Sequence, residues 1–314
     1  MRGAEPELST AENYRRWARA EEVAAKSPLY ARLSEAVAGD PELLAFLDRR
    51  PPRERQPNLL LAAVRLLFGL QTDYAAFRAA VLDHPDEVAA VLTTRRTQTN
   101  EPNRCAALLP VLAALPQPLA LLEVGAAAGL CLLPDRYAYD YAGHQVGESS
   151  VVFPCRPEGA VPLPAAVPQV AWRAGIDLAP VDLGDPGAVA CLEALVWPEE
   201  TDRLERLRAA IAIARRDPPR IVAGDLLERL PELAAEAPRD ATLVVFHTAV
   251  LAYLTLERRE ELGRRAGALG ATWIACEAPG VLPALGSAAR GFVLGVDGRR
   301  VATCDSHGRW LRWG

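Results

Sequence analysis

Leu119-Ala-Leu-Leu-Glu-Val-Gly-Ala-Ala-Ala-Gly129 carries more structural information than any other stretch of the 314-residue sequence. An apolar run ends in Glu123, and Gly125 and Gly129 then bracket three alanines ahead of Leu130-Cys-Leu-Leu133. The pattern predicts a buried strand, a tight turn and the opening of a short helix that stops near Pro134. Glycine at such a turn permits positive φ and close approach to the backbone.

Downstream, apolar strands alternate with helical stretches. Trp172 to Asp177, Ile221 to Asp225, Thr242 to His247 and Thr272 to Glu277 read as strands, each closing on a polar residue. Asp185-Pro186 caps a helix to about Leu195, Glu200 to Arg216 is amphipathic, and Leu256 to Leu269 is a further helix capped by Gly270. Gly291 to Val296 and Arg300 to Cys304 flank Asp297-Gly298, a hairpin signal, and Arg309 to Trp313 forms a last strand. Residues 137–168, with Pro154, Pro157, Pro162 and Pro164, read as an irregular, hairpin-like insertion. Upstream the pattern is helical throughout, with Gly39-Asp40-Pro41 giving a cap and a proline at the first helical position. The expected organisation is an all-helical N-terminal cap over residues 1–115 and an α/β domain over 116–314.

Composition excludes several classes. Half the residues are hydrophobic, so wholesale disorder is out. No apolar run reaches the roughly 18 residues of a membrane span. The acidic N-terminus is unlike a secretory signal, and the expected location is the cytoplasm. A net charge of −5 argues against nucleic acid as a partner. Lys26 is the only lysine, an arginine bias that reflects a GC-rich genome. The six cysteines have no Cys-x-x-Cys spacing, so free thiols are expected and no metal site.

An alternating α/β pattern implies a largely parallel sheet covered on both faces, with ligands at the carboxyl ends of the strands. Glu123, Asp177, Asp225, His247 and Glu277 fall there. Successive acids suit hydroxyls, amines or a cation. The dinucleotide fingerprint wants Gly-x-Gly-x-x-Gly, whereas Ala127 stands where the central glycine would be. A nicotinamide cofactor is disfavoured on that spacing. Thr97-Gln-Thr-Asn-Glu-Pro-Asn-Arg104 lies just ahead of the glycine strand. It reads either as helix capping and solvation or as a ligand-facing wall, with Glu101 and Arg104 as substrate-side candidates.

The acid before the first glycine, Gly224-Asp225 and the closing antiparallel strands resemble S-adenosylmethionine-dependent methyltransferases of class I. The strings Gln98-Thr-Asn-Glu101, Leu122-Glu-Val-Gly-Ala-Ala-Ala-Gly-Leu130, Pro134-Asp-Arg-Tyr-Ala-Tyr-Asp140, Gly175-Ile-Asp-Leu-Ala-Pro180 and His307-Gly-Arg-Trp-Leu-Arg-Trp313 are similar to a bacterial family known only as a domain of unknown function, common in high-GC actinobacteria. The resemblance implies a Rossmann-like methyltransferase sheet, mostly parallel with a C-terminal antiparallel hairpin. It implies S-adenosylmethionine as cofactor. Gly125, Ala127 and Gly129 would pass beneath its methionine part, Glu123 would bind the ammonium, Asp177 the ribose and Asp225 the adenine amine. Asp140 competes with Asp177 on spacing but lies in a poor parallel-strand sequence. His247 and Glu277 are the candidates for general base or acceptor orientation, against capping or core roles, and Tyr253 is a lesser substrate-side candidate. The implied activity is methyl transfer to a small molecule. The competing expectation is a non-catalytic protein of the same fold that binds a ligand or partner.

Overall fold

The structure, a computed structural model, describes residues 8–314. The acidic residues 1–7, on which the exclusion of a secretory signal rests, lie outside them. Seven helices come first: α1 (Thr10–Ala18), α2 (Glu21–Lys26), α3 (Pro28–Val37), α4 (Pro41–Asp48), α5 (Pro57–Phe68), α6 (Tyr74–Leu82) and α7 (Pro85–Thr94). Helix α8 (Arg104–Ala114) leads into β1 (Leu119–Val124), followed by β2 (Ala138–Tyr141), β3 (His144–Val146), β4 (Val152–Pro154), β5 (Arg156–Glu158) and β6 (Val170–Asp177). Then come α9 (Pro186–Ala194), α10 (Thr201–Ala214), β7 (Arg220–Ala223), α11 (Leu226–Ala234), β8 (Thr242–Thr248), α12 (Leu256–Ala268) and β9 (Thr272–Glu277). The meander β10 (Phe292–Val296), β11 (Arg299–Cys304) and β12 (Trp310–Trp313) closes the chain.

Contacts divide the chain into two compact units, one running up to Thr99 and taking in Asp185–Glu205, the other formed by Asn100–Gly184 and Arg206–Gly314. By contacts, the first boundary runs between Thr99 and Asn100. Residues 100–114 belong with the sheet, and 185–205 belong with the N-terminal helices. In the helical unit, Ser9 and Glu12 make a reciprocal capping box, and Asp40 accepts from the backbone of Glu42 and Leu43 at the start of α4. Tyr14, Leu33, Leu43, Leu60, Val64 and Phe77 fill its core, and Trp197 joins them. The Trp197 indole donates to Asn58 Oδ1 at 3.0 Å, and Glu199 accepts from Ser27 Oγ and from the Leu29 backbone. These partners are far away in sequence, which is why the pattern alone places 185–205 with the strands around it.

In the second unit the strands form a nine-stranded sheet in the order β5-β12-β11-β10-β9-β8-β1-β6-β7. The five strands β7, β6, β1, β8 and β9 are parallel, and β10 turns the sheet antiparallel. Strand β1 is central, with β6 and β7 added on one side and β8 and β9 on the other, so the order reverses between β1 and β8. The crevice at such a reversal, beyond the carboxyl ends of the strands, is where open α/β sheets take ligands. Leu122, Val124, Ala174, Ile176, Val245 and Ala275 bury against Leu227, Leu230, Leu262 and Ala266 of α11 and α12. Strand alternation then sends Glu123 to the opposite face.

The stretch read as an irregular insertion is more ordered than its prolines suggest. Strands β3, β2 and β4 make a separate three-stranded sheet, and β5 pairs with β12 at the edge of the main one. Tyr137, Tyr139 and Tyr141 are buried, each hydroxyl donating to a main-chain carbonyl. The helix expected after the glycine turn does not form. Two single 3-10 turns, Leu130–Leu132 and Pro134–Arg136, stand in its place, with Pro134 beginning the second.

Candidate functional site

The turn after β1 is left-handed three times in five residues: Gly125 (φ 73°), Ala127 (φ 49°) and Gly129 (φ 71°). Two side chains hold it. Asp177, at the end of β6, accepts from Ala127 N and Ala179 N, both at 2.8 Å. Asn100 donates to the Ala126 carbonyl at 3.2 Å and accepts from Leu130 N at 2.8 Å, so one amide spans the whole turn. The glycines also meet close packing. A Cβ on Gly125 would fall 2.4 Å from a Val250 methyl, and one on Gly129 would fall 2.6 Å from the Pro219 ring. Two 3-10 turns follow it in place of a regular helix.

Glu123 is 1% exposed, and its Oε2 accepts no hydrogen bond. Burial pushes its carboxyl well above the ordinary range, helped by Cys131 and Asp177 and opposed by the Arg104 guanidinium. Arg104 is itself buried. Its Nε donates to the Ser306 carbonyl at 2.8 Å, and its Nη1 donates to the carbonyl and hydroxyl of Thr248 at 3.2 Å. It fastens α8 to the end of β8 and to the turn before β12. Glu101 is buried beside it and accepts from Asn103 N. Both residues are 5% exposed.

Beyond β8, Ala249 is left-handed (φ 59°) and Val250 lies over Gly125. Glu277, at the end of β9, holds this turn, its Oε1 accepting from Val250 N at 2.9 Å and Leu251 N at 3.1 Å. The same oxygen accepts from His247 Nδ1 at 2.7 Å, while His247 Nε2 accepts from the Trp273 indole N–H at 3.1 Å. This fixes the neutral tautomer with its proton on Nδ1. His247 is fully buried with both ring nitrogens engaged, so it offers no lone pair to an acceptor. The ring at 247 thus sits in the core, bonded on both sides. Glu277 Oε2 is buried and accepts no hydrogen bond.

Asp225 caps α11 through Leu227 N at 2.9 Å and pairs with Arg258. Asp140 lies on β2 in the smaller sheet and accepts from Gly143 N in the hairpin turn, so Asp177 is the acid next to β1. Tyr253, in a 3-10 turn after β8, is 70% exposed, and Leu178, just after Asp177, is 76% exposed. Strands β6 and β8 flank β1, so these two apolar side chains stand at the carboxyl ends of its two neighbours. Leu178 escapes a search for polar chemistry; an apolar residue directly after a strand-end acid is its only signal.

Strain marks the same place. Besides Ala127 and Ala249, the non-glycine residues with positive φ among the described residues are Ala142 and Asp297. Those two sit in tight hairpins, where positive φ is demanded. No hairpin explains Ala127 or Ala249, which follow the two strands on either side of the order reversal. Such strain collects at ligand sites and persists only when the surroundings impose it.

All six cysteines are free and, among the described residues, no group of three or more His, Cys, Asp and Glu side chains is placed to hold a metal. No helix among the described residues is long and apolar enough to cross a membrane. A family model described as an uncharacterized protein conserved in bacteria (DUF2332) matches residues 11–313. No curated protein and no solved structure matches the chain.

Proposed function

The chain belongs to this uncharacterised bacterial family, and we propose that it binds S-adenosylmethionine at the carboxyl edge of β6, β1 and β8 and acts as a methyltransferase on a small molecule. The observation that carries this reading is the strained alanine in each of the two turns that follow β1 and β8 at the order reversal, with the unpartnered oxygen of Glu123 near the end of β1. The parallel order β7-β6-β1-β8-β9 is that of a Rossmann-type sheet, with the antiparallel β10 laid against β9. The departure from the methyltransferase pattern is that β10, β11 and β12 form a plain meander.

A buried carboxylate oxygen with no donor suits an ammonium group, and Glu123 is the residue for it. The exposed Leu178 beside Asp177 offers an apolar surface to the adenine and an acid to the ribose. Asp225 reaches the adenine amine only by giving up Arg258. Val250 covers Gly125, so entry requires the turn after β8 to swing away, with Ala249 as its hinge. The cofactor supplies an already activated methyl group when bound.

Calorimetric titration with S-adenosylmethionine, its demethylated product and NAD tests the reading. Micromolar binding of the first two is expected, weakened about tenfold or more by Glu123→Gln, since the lost charge pair is worth about 1.5–3 kcal/mol. Leu178→Ala weakens it less, and Val250→Ala tightens it. No heat with either sulfonium or thioether ligand would sink the proposal. The engaged nitrogens of His247 favour a second reading, a ligand-binding protein without catalysis. Binding with no methyl transfer to any of a metabolite panel would select it.

A further inference from the structure

The C-terminal string His307-Gly-Arg-Trp-Leu-Arg-Trp313 has no part in the edge described above. It builds instead a charged cluster at the far side of the sheet. Strand β5 is the terminal strand and pairs in parallel with β12, which places Glu158 directly beside Arg312. Arg312 donates to Glu158 Oε2 through Nε at 3.0 Å and lies against it again through Nη2 at 2.7 Å. Arg156, from the same short strand, donates to Oε1 at 2.8 Å. Arg290, from the loop before β10, donates one Nη to both carboxylate oxygens at 2.7 Å. Three guanidiniums therefore share one carboxylate, and two positive charges are left over.

Those charges are ordered and open to solvent. Arg290 lies over the Trp310 ring, 4.3 Å from its centroid. Gly291, at φ 71°, lets the backbone reach that ring, since a Cβ there would fall 2.7 Å from it. The three arginine side chains are 51–65% exposed, whereas that of Glu158 is 17% exposed. Arg290, led by its hydrogen bonds, with Arg156 and Arg312, draws the Glu158 carboxyl down to about 2, so the acid stays ionised and keeps the forks in place. Arg290 and Arg156 each keep Nε and one Nη uncommitted to Glu158, and Arg312 keeps one Nη. Pro157 in β5 removes a donor from the free edge, which suits a site that takes an ion rather than another strand. The surplus stands out from the chain's own net charge of −5, and residues 290–314 carry five arginines against two aspartates.

We propose that the Glu158-centred arginine cluster at the β5–β12 edge binds a phosphate-type dianion, as the free ion, a soluble monoester or a lipid headgroup. Planar, always-charged guanidiniums in fixed forks are the side chains that match phosphate oxygens, and the residual double charge matches a dianion.

The test titrates the full-length protein with inorganic phosphate at constant ionic strength, with chloride as the reference, by calorimetry and tryptophan emission. A saturable response to phosphate alone is expected, reduced at least tenfold by Arg290→Gln or Arg312→Gln and unchanged by Arg239→Gln, an exposed arginine elsewhere. Trp310→Phe removes the emission change and keeps the heat. Glu158→Gln, which frees a third charge, tightens binding. Circular dichroism checks that each variant is folded. Vesicles of phosphatidylcholine with and without phosphatidic acid separate the sources: co-sedimentation only with phosphatidic acid assigns a headgroup, and binding in solution without it assigns a free phosphate or monoester. An equal response to chloride, or a phosphate response that survives the double variant Arg290→Gln/Arg312→Gln, overturns the proposal. Neither outcome bears on Glu123 or on S-adenosylmethionine.

Discussion

Glu123, in the β7-β6-β1-β8-β9 half of the sheet, is buried with one oxygen that accepts nothing, whereas Glu158, at the β5–β12 edge, is gripped by three arginines. One carboxyl is driven up by burial and the other down by its partners. The sheet thus keeps its unmet demands in one place and its met ones in another. The parallel half also holds the two alanines whose backbone no hairpin explains. An unsatisfied buried group and local strain cost stability each time the chain folds, and ligand binding is the usual compensation. At the β5–β12 edge the carboxylate has its partners, and what remains is surplus positive charge.

The contrast depends on Arg104 being a brace of the parallel half rather than a ligand contact. Replacing it with leucine strands the carbonyls of Ser306 and Thr248 and removes the one positive charge set against Glu123. Arg104→Leu should lower unfolding stability by about 3 kcal/mol or more, because charged hydrogen bonds are lost and buried acceptors are orphaned. Denaturant unfolding at neutral pH measures it. A loss below about 1 kcal/mol, with ligand affinity abolished, would return Arg104 to the substrate side.

The two carboxyls make a matched pair of opposite sign. Glu123 has a raised value in the folded protein, so ionisation costs stability as pH climbs from the ordinary carboxylate range near 4.3 towards that raised value. Glu123→Gln should therefore stabilise the protein at neutral pH by roughly 1–3 kcal/mol, the cost of an unsatisfied buried group, and the gain should vanish below about pH 4. Glu158 has a depressed value of about 2, so its contribution is present at neutral pH and is lost as pH falls towards that value. Glu158→Gln should flatten the acid limb of the stability curve between about pH 4.3 and 2, so its loss of stability shows at neutral pH, small because the arginines are exposed, and disappears at the acid end. Identical pH profiles for the two variants would erase the contrast.

Much of the parallel half was legible in the sequence because a buried parallel strand is a short apolar run, and the polar residue that ends it marks the ligand edge. Glu123, Asp177, Asp225, His247 and Glu277 all fall at or just beyond strand ends on that ground. Their hydrogen bonds were less legible. Trp273 and Glu277 lie four residues apart on β9 and face the same side as His247, a relation that needs the register of β8 against β9 to be known. The β5–β12 edge was scarcely legible, since Arg156-Pro-Glu158 is three residues with a central proline and forms a strand only because β12 is there to pair with it. The strain at Ala249 had no signal, because alanine does not mark a left-handed turn as glycine or asparagine does.

That strain yields the smallest and most discriminating prediction. A left-handed alanine costs roughly 1–2 kcal/mol, and glycine in its place removes that cost while loosening the unfolded chain by roughly 0.4–1 kcal/mol. Ala127→Gly, Ala249→Gly and Ala142→Gly should each stabilise the protein by about 1 kcal/mol or less, since all three start from positive φ. Stability alone therefore cannot tell the hairpin alanine from the other two. Ligand affinity can. If the turns after β1 and β8 are held strained for a ligand, relaxing either changes the calorimetric affinity for S-adenosylmethionine, and relaxing the β2–β3 hairpin does not. Equal affinities in all three variants would mean that the strain at the order reversal is a packing consequence of Asp177 on one turn and Glu277 on the other, and the two halves of the sheet would then differ in charge alone.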